Sequence, residues 1–589
     1  MIQKQKGFSA PVLALSVWTA ALAEEMQTGI SPRGMIIHGA VQALLLTCIS
    51  GVFSACWQRA AMQWVWLFSA GAWFLAELFG TVMQAQNICQ QEFRSMALIG
   101  LLPLLLWAGW CIPPSGWDAP ARVLWWFVLL GGLVCLTGLA GQMDWAHLLT
   151  ADAVQLARWP RVPLYAEYLF WPLLAGYEEP RSMSWLPWLT FLAQAGLTAG
   201  MCLVFGAADY PAQELLRAWS ADVFSRMDAL LLLIWLTCAI FRIGFLCAAV
   251  RTVWQRAVQC GKGAVKMKQK KLRSLSAVLL IGWCLIFLRC ETTEKSMVRA
   301  LYLAQKEQSI TVGLLYQAPE AAADASEASG AVQLQLAQAD TLAKALAAAQ
   351  KQLPQKADYR LCDYLLIDQD ASAELLAAYE RTVLENRQGR VSAKVSVLEM
   401  DDGFLEELPA KKQEFPNKLL EQLKQCADQM PRLYQYQDGM LLPQLRAEKQ
   451  EVALADTSIL WRVENSIELE ARQAETARLL LEMGGVHTFW LEGEPVTVRR
   501  CSVSVTLREE TASLRLDCQR SYDTPQPSAA QCKQLAELCT QTVQSFWQQG
   551  IDLVHLQQRS ALQNGVGREK ITIKNACPQL QADVRFLPM

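Results

Sequence analysis

The chain has little histidine, and its cysteines form no recognisable framework. Four histidines are scattered among 589 residues, and no Cys-x-x-Cys pair or Cys/His cluster has the spacing of metal ligands. We therefore predict no metal site and no cofactor. The cysteines of the second half are odd in number, and Cys501 and Cys518 stand on neighbouring predicted strands as a candidate bridge.

Motifs of common catalytic sites are also missing. The sequence contains no Gly-x-Ser-x-Gly elbow, no Walker loop and no His-Glu-x-x-His helix. His487 and His555 have no evident nucleophile or ligand partner in the sequence. The second half is therefore predicted to be an interaction region and not an enzyme. A formal net charge of −2 argues against nucleic acid as a partner.

What the chain does have is a strong division into two halves. Residues Gly7 to Phe287 are dominated by Leu, Ala, Trp, Phe and Val, whereas Glu291 to Met589 are rich in Gln, Glu, Lys and Arg. Most tryptophans lie in the first half, many near the ends of apolar runs, as at a membrane interface. This number of successive apolar runs would need a very large soluble protein to cover it. We therefore predict a membrane bundle.

A bilayer span needs about 20 mostly apolar residues. The runs predict nine spans near 9–24, 35–55, 62–85, 95–112, 122–142, 163–177, 185–207, 228–250 and 274–289. Lys4 and Lys6 precede the first span, and a strongly basic segment, Arg251 to Arg273, precedes the ninth. Both segments are expected in the cytoplasm, because cytoplasmic loops carry the excess of Lys and Arg. The second half would then lie outside the cytoplasm.

The ninth span resembles a secretory signal. Residues 267–290 combine a basic start, an apolar run from Ser274 to Leu288, and Cys290, as in a lipoprotein signal. Arg289 replaces the small residue normally found before a lipidated cysteine. We interpret the segment as an uncleaved signal-anchor, with lipidation of Cys290 as the alternative.

Two ionisable residues stand inside predicted spans. Glu77 lies within the third span and Arg242 lies at the centre of the eighth. A charge in a bilayer costs several kcal/mol and by default suggests function. A Glu77–Arg242 pair could line a pocket for a small zwitterionic solute; a structural ion pair, or snorkelling by Arg242, is the alternative. Glu167 is nearer a span end, where a solvated role is expected.

Glycines inside the spans offer two further interpretations. Gly131-Gly132 could mark a helix break of the kind that binds substrate in transporters. Gly196 and Gly200 form a small-xxx-small pattern, for which helix packing is favoured.

The second half mixes strands and helices. Residues 291–400 are predicted to form a small α/β domain, 401–450 a connecting helical region, 451–565 an α+β domain and 566–589 a tail. The α+β domain rests on an alternating strand, Val496 to Leu507, and a long amphipathic helix, Ala529 to Gln548.

A further motif lies before and within the eighth predicted span: Tyr210 to Arg217, Arg226 to Leu230 and Ile234-Trp235. These residues resemble the signature around the eighth span of the B subunit of the GerA-type nutrient germinant receptors of endospore-forming bacteria. That subunit is a relative of amino-acid permeases. The matching motif residues are Pro211, Arg226, Asp228 and Trp235, and the family often has a basic residue where Arg242 stands.

The second half is similar to the C subunit, a lipoprotein. Residues 267–290 resemble the signal and cysteine of that subunit. The helix and strand from Thr341 to Ile367 resemble an early motif of the subunit, and Gly550-Ile551-Asp552-Leu553 resembles a late one. The order of these motifs is more specific than any one of them. The chain thus resembles a B subunit (1–266) fused through 267–290 to a C subunit.

The resemblance implies a fold, a function and partners. The fold would be a polytopic α-helical membrane bundle, like a truncated APC-type permease, followed by an extracytoplasmic mixed α+β region. The function would be sensing of a small nutrient, typically an amino acid, in the spore inner membrane. The partners would be a separate A subunit and membrane lipid. An amino-acid transporter with an appended outer domain is the alternative, and a membrane-anchored scaffold without ligand is a third.

The B-like half departs from the pattern in two respects. It ends one span early, and its first span lacks a glycine break. Both departures leave open a degenerate receptor that assembles without binding nutrient.

Overall fold

The fold was analysed in a computed structural model of the full chain. The chain divides into two compact units, Met1–Thr292 and Thr293–Met589. The residues that the structure describes are 7–25, 37, 39–49, 60–90, 97–145, 147, 166–174, 185–206, 214–215, 227–260, 296–306, 309–317, 332–369, 371–386, 389–400, 414–435, 439–448, 451–462, 466–508, 511–521, 524–565 and 568–587.

The first unit is helical. Its helices are α1 (Ala10–Glu25), α2 (Ala60–Ile88), α3 (Ala97–Cys111), α4 (Asp118–Leu139), α5 (Trp171–Leu174), α6 (Leu186–Phe205) and α7 (Met227–Cys260), with a further apolar helix at Gly39–Ile49. Within the described ranges, four helices are long and apolar enough to cross a membrane: Gln63–Ile88, Pro114–Gln142, Leu186–Phe205 and Leu230–Ala257.

Helix α7 is the centre of this unit. It contacts α1, α2, α3 and α4. In the most apolar 18-residue stretch of Leu230–Ala257, 61% of the residues are buried, whereas the corresponding share in Pro114–Gln142, which contains α4, is 17%. The ring of Phe245 meets Phe8 edge-on at 5.0 Å between centroids, and Phe241 meets Trp117 at 5.4 Å. A charged side chain on α7 is therefore placed in the middle of the bundle.

Helix α4, unlike α7, has an exposed apolar face. Its outward side chains include Trp126, which is 75% exposed, and Leu129, Leu130, Leu133 and Leu136. A continuous apolar face of this kind marks an interaction with lipid or a partner. Its length matches the hydrocarbon thickness of a bilayer.

Two of the nine predicted spans need comment. The sixth, 163–177, is not one helix in the part described, because residues 166–174 contain only a 3₁₀ turn, Ala166–Tyr168, and α5. Pro172 removes a backbone donor in this stretch, which does not favour a long helix. The nine predicted spans therefore include one stretch that is not a single helix in the part described. The ninth span, 274–289, lies outside the described residues.

Among the residues described, those of the second unit form two sheets. The larger has the order β3-β2-β1-β5-β6-β7-β8-β9, and β4 pairs with β1. Its strands are β1 (Ser296–Lys306), β2 (Ser309–Gln317), β3 (Val332–Ala339), β4 (Ala357–Asp358), β5 (Tyr364–Ile367), β6 (Lys394–Met400), β7 (Gly439–Glu448), β8 (Glu451–Arg462) and β9 (Ile467–Leu469). The central strands β1, β5, β6 and β7 run parallel, and the flanking pairs are antiparallel.

The smaller sheet has the order β10-β11-β12-β13. It consists of β10 (His487–Leu491), β11 (Glu494–Arg508), β12 (Thr511–Arg520) and β13 (Gln579–Phe586). In the described residues of this unit, six helices accompany the sheets: α8 (Leu342–Lys351), α9 (Ala373–Asn386), α10 (Glu414–Gln425), α11 (Ala471–Leu480), α12 (Ala529–Gln548) and α13 (Leu556–Asn564). Helix α11 contacts β8 of one sheet and β10 of the other.

Local sequence signals account for the helix starts. The Thr341 hydroxyl caps α8 by accepting from the Lys344 backbone N–H. Ser528 and Gln531 form a complete capping box at the start of α12.

The structure departs from the predicted domain limits in two places. The region 401–450 is not only a helical connection, because it supplies β7 to the large sheet, and β8 extends the same sheet past residue 450. The region 566–589 is not simply a tail, because it contains β13, which pairs in parallel with β12. In both cases the strand comes after a helix in the chain, and only the long-range pairing shows which sheet it joins.

Candidate functional site

The guanidinium of Arg242 lies at the centre of the first unit. Its side chain has no exposed surface, although it sits in an otherwise apolar stretch of α7. A buried charge is stable only when it is paired and hydrogen-bonded. The surrounding residues therefore have to supply both countercharge and acceptors.

Every N–H of this guanidinium has an acceptor. Nε donates to Thr81 Oγ1 at 3.0 Å, and Nη1 donates to the Ser16 carbonyl at 2.7 Å and to Ser16 Oγ at 2.9 Å. Nη2 donates to Glu77 Oε2 at 2.5 Å and to Glu167 Oε1 at 2.7 Å. An arginine has five N–H donors, so Arg242 has no donor left for a ligand in this conformation.

These acceptors come from three other segments. Ser16 is on α1, Glu77 and Thr81 are four residues apart on one face of α2, and Glu167 is in the 3₁₀ turn. Arg242 consequently ties α7 to α1, to α2 and to the turn. We call these five residues the arginine cluster.

The two carboxylates of the arginine cluster differ in exposure. The side chain of Glu167 is 2% exposed and that of Glu77 is 30% exposed. One guanidinium contacts both carboxylates, and Glu77 is the more exposed of the two. Glu77 is therefore the member of the cluster that a solute could reach.

Both residues predicted to bind a ligand, Glu77 and Arg242, belong to the arginine cluster. Glu77 and Arg242 are in contact, as a pair should be, and Glu167 joins them. The expectation of a solvated role for Glu167 is wrong, because this carboxylate is buried against Arg242. The ligand-binding role of Glu77 and Arg242 stays a prediction.

The resemblance motif falls on less of the described structure. Pro211, Arg226 and Cys290 lie outside the described residues, and Asp228 is in the first turn of α7. Trp235 is buried on α7, and its Nε1 donates to the Thr19 carbonyl of α1 at 3.3 Å. Trp235 thus joins the same two helices that Arg242 and Ser16 join.

The predicted glycine positions differ from the glycines that pack most closely. Around Gly196 and Gly200, no described atom lies within 4 Å of where a Cβ would be. Gly244 of α7 lies against the Trp117 indole, and Gly109 of α3 would place a Cβ 2.5 Å from the Gly244 carbonyl oxygen. Gly109 allows α3 to approach α7 closely, and Gly244 leaves room for the Trp117 indole.

His487 in the second unit does have partners. Nδ1 lies 3.0 Å from Glu475 Oε1, and Nε2 lies 3.0 Å from the Met483 carbonyl oxygen. Arg478 donates to Glu475 at 3.3 Å and also to Ser458 on β8. Burial would raise the pKa of Glu475, but the hydrogen bond from His487 and the charges of His487 and Arg478 hold it below its usual value. This cluster joins α11 to both sheets, and we interpret its role as structural.

Asp552, from the late resemblance motif, is a helix cap. Its Oδ1 accepts from the Leu556 N–H and its Oδ2 from the Gln557 N–H, both at 2.7 Å. Burial raises the pKa of Asp552, and these two N–H donors oppose that shift. His555, at φ 57°, completes the turn before α13. The motif is therefore explained by the start of a helix.

Among the described residues, no group of three or more His, Cys, Asp or Glu side chains is placed to hold a metal ion.

Comparison with known proteins gives one structural likeness. No protein-family model matches the chain, and no curated protein matches it. Among solved structures the chain is similar to one described as "Crystal Structure of the GerBC protein", at a TM-score of 0.28 and 10% identity. The alignment covers 49% of this chain, in its second half, and 96% of the other. A likeness of this size carries no argument about fold or function by itself.

Proposed function

We propose that this chain is a component of a nutrient germinant receptor of bacterial spores. Its first unit would sense a small solute, such as an amino acid, and its second unit would couple to receptor partners. The observation that carries the proposal is the arginine cluster, a fully buried guanidinium held by two carboxylates inside an apolar helical unit. The ordered resemblance to B and C subunits directs it to germination in particular.

A buried ion cluster in lipid has a large cost. An arginine at the centre of a membrane helix costs about 2.5–3.5 kcal/mol on insertion scales, and more in other treatments. Well-packed apolar residues of similar volume could join the same helices without this cost. The presence of the charges is therefore best explained by a function.

The geometry indicates how a solute would bind. Because the donors of Arg242 are all used, Arg242 acts in this proposal as the residue that positions the two carboxylates. Glu77, which is partly exposed, would meet the ammonium group of an amino acid. The substrate class is thus a small solute with a cationic amine.

The proposed setting follows from the same resemblance. The chain would be a multi-pass protein of the spore inner membrane, with the second unit outside the cytoplasm. An A subunit would be its protein partner, and membrane lipid would cover the apolar face of α4. The four long apolar helices are compatible with this setting.

The direct test is genetic. Deleting the gene in its sporulating host and scoring germination against single amino acids should abolish or weaken at least one response. Unchanged responses to every nutrient would contradict the proposal.

Point variants then address the site. Glu77→Gln and Arg242→Gln are each expected to weaken the nutrient response, and the double variant should be less than additive because the two residues are in contact. Receptor abundance in spore membranes has to be measured beside germination, so that loss of protein is not taken for loss of sensing. Normal responses from both single variants at normal abundance would remove the arginine cluster from the proposal.

The second candidate is an amino-acid transporter with an appended outer domain. It is favoured by the permease-like first half and by the same buried cluster. Uptake of labelled amino acids into vesicles that contain the purified chain separates the two functions. A receptor need not accumulate solute, whereas gradient-driven accumulation that is lost in Glu77→Gln would support transport.

A further inference from the structure

Two cysteines of the smaller sheet are placed for oxidation. Cys501 of β11 and Cys518 of β12 are direct partners in an antiparallel register, and their sulfur atoms are 3.5 Å apart as free thiols. Opposed Cα atoms in antiparallel strands lie about 4.5–5.5 Å apart. A disulfide accepts Cα separations of roughly 4.4–6.8 Å. The two sulfurs can therefore bond without a shift of either strand.

The two thiols have different access to solvent. Cys518 is fully buried and Cys501 is partly exposed. Contact with the Cys518 thiol and burial together raise the pKa of Cys501. Because the thiolate is the reactive form, this pair is expected to react slowly with small oxidants at neutral pH. A reagent would reach Cys501 first.

We propose that Cys501 and Cys518 form an oxidisable dithiol whose co-substrate is a disulfide, either of a small molecule or of a thiol-oxidising protein. The Cys501 thiolate attacks one sulfur of that disulfide, forming a mixed disulfide and releasing one thiolate. The Cys518 thiolate then displaces the second sulfur, closing the Cys501–Cys518 bond. The chain loses two protons and two electrons, and the oxidant disulfide is reduced to two thiols.

The bond would have a defined structural effect. It would link β11 to β12 inside the apolar core of the smaller sheet, where the neighbouring thiol of Cys539 is also buried. The cross-link restricts the unfolded chain and so favours the folded sheet. Structural disulfides persist in oxidising compartments and are rare in the cytosol. The redox state of the pair in cells would therefore report the side of the membrane on which the second unit lies.

The test uses the full chain, purified in detergent with reductant. After equilibration with mixtures of oxidised and reduced glutathione, free thiols are alkylated and the chain is digested with trypsin. Cleavage after arginine places Cys501 on the peptide 501–508 and Cys518 on the peptide 516–520. The expected result is a linked pair of these two peptides in the oxidising mixtures. The unfolding midpoint of the second unit should rise by roughly 4–8 °C, at about 2 °C per kcal/mol.

Two cysteine variants serve as controls for the identity of the linked pair. Cys532→Ser should leave the linked pair and the midpoint shift unchanged, whereas Cys501→Ser should abolish both. The proposal is overturned if both peptides remain alkylated in the most oxidising mixture. It is equally overturned if Cys518 is recovered linked to the peptide that carries Cys539.

Discussion

Removing the charge of Arg242 should destabilise the first unit more than removing either carboxylate. The Arg242→Gln variant leaves Glu167, 2% exposed, beside Glu77 with no cation between them. Breaking a buried ion pair from one side costs about 3–5 kcal/mol. In Glu167→Gln and Glu77→Gln the guanidinium keeps one carboxylate and can still donate to the amide oxygen, so their cost should be smaller. Glu77→Gln should cost least, because its side chain is partly exposed.

The assay follows the first unit alone. The full chain in detergent is heated, and the temperature at which Cys238 becomes alkylated is read by mass spectrometry. Cys238 is fully buried on the same helix as Arg242. At about 2 °C per kcal/mol, Arg242→Gln should lower this temperature by roughly 6–10 °C.

A matched control comes from the same helix. Arg251 is partly exposed near the end of α7 and donates to the Trp110 carbonyl. Arg251→Gln should lower the alkylation temperature of Cys238 by no more than about 2 °C. A loss for Arg242→Gln no larger than that for Arg251→Gln would refute the reasoning. A larger loss for Glu167→Gln than for Arg242→Gln would do the same.

Three further predictions concern stability. Gly244→Ala should destabilise the first unit by about 1–3 kcal/mol, because its new Cβ would collide with an indole ring, whereas Gly196→Ala should cost nothing; heating in detergent compares the two. Asp552→Asn should lower the unfolding free energy of the second unit by about 1 kcal/mol in a denaturant titration, because one of the two accepting oxygens is replaced by an NH2 group, which cannot accept from an N–H. The lowered pKa of Glu475 means that its ionised form stabilises the fold above its ordinary pKa, and that this stability is lost as pH falls through the lowered value. Glu475→Gln should therefore flatten the acid side of the stability profile, and an unchanged profile would contradict this.

Much of the coarse organisation could be predicted from the sequence. The change from apolar to polar composition near Phe287 agrees with two compact units, and four of the nine predicted spans match the four long apolar helices. The strand from Val496 and the helix from Ala529 are found within a few residues of their predicted limits. These elements were predictable because periodicity and apolar length are local properties.

The parts that were missed depend on contacts between distant residues. Nothing near Glu167 in the sequence shows that the chain turns inward there and brings this carboxylate to Arg242. Gly109 and Gly244 resemble other glycines in the spans until their helices are packed together. His487 lacks a visible partner in sequence because Glu475 reaches it from another element.

The parallel pairing of β12 with β13 has a consequence for the synthesis of the chain. Each residue of β12 finds its β13 partner 68 positions later, after the helices α12 and α13. At roughly 5–20 residues per second, the ribosome would need about 3–14 s to deliver the missing strand. During that interval β12 has one open edge, with Leu514 and Leu516 on the strand, and open edges recruit foreign strands. The smaller sheet is thus most exposed to aggregation while the chain is still being made.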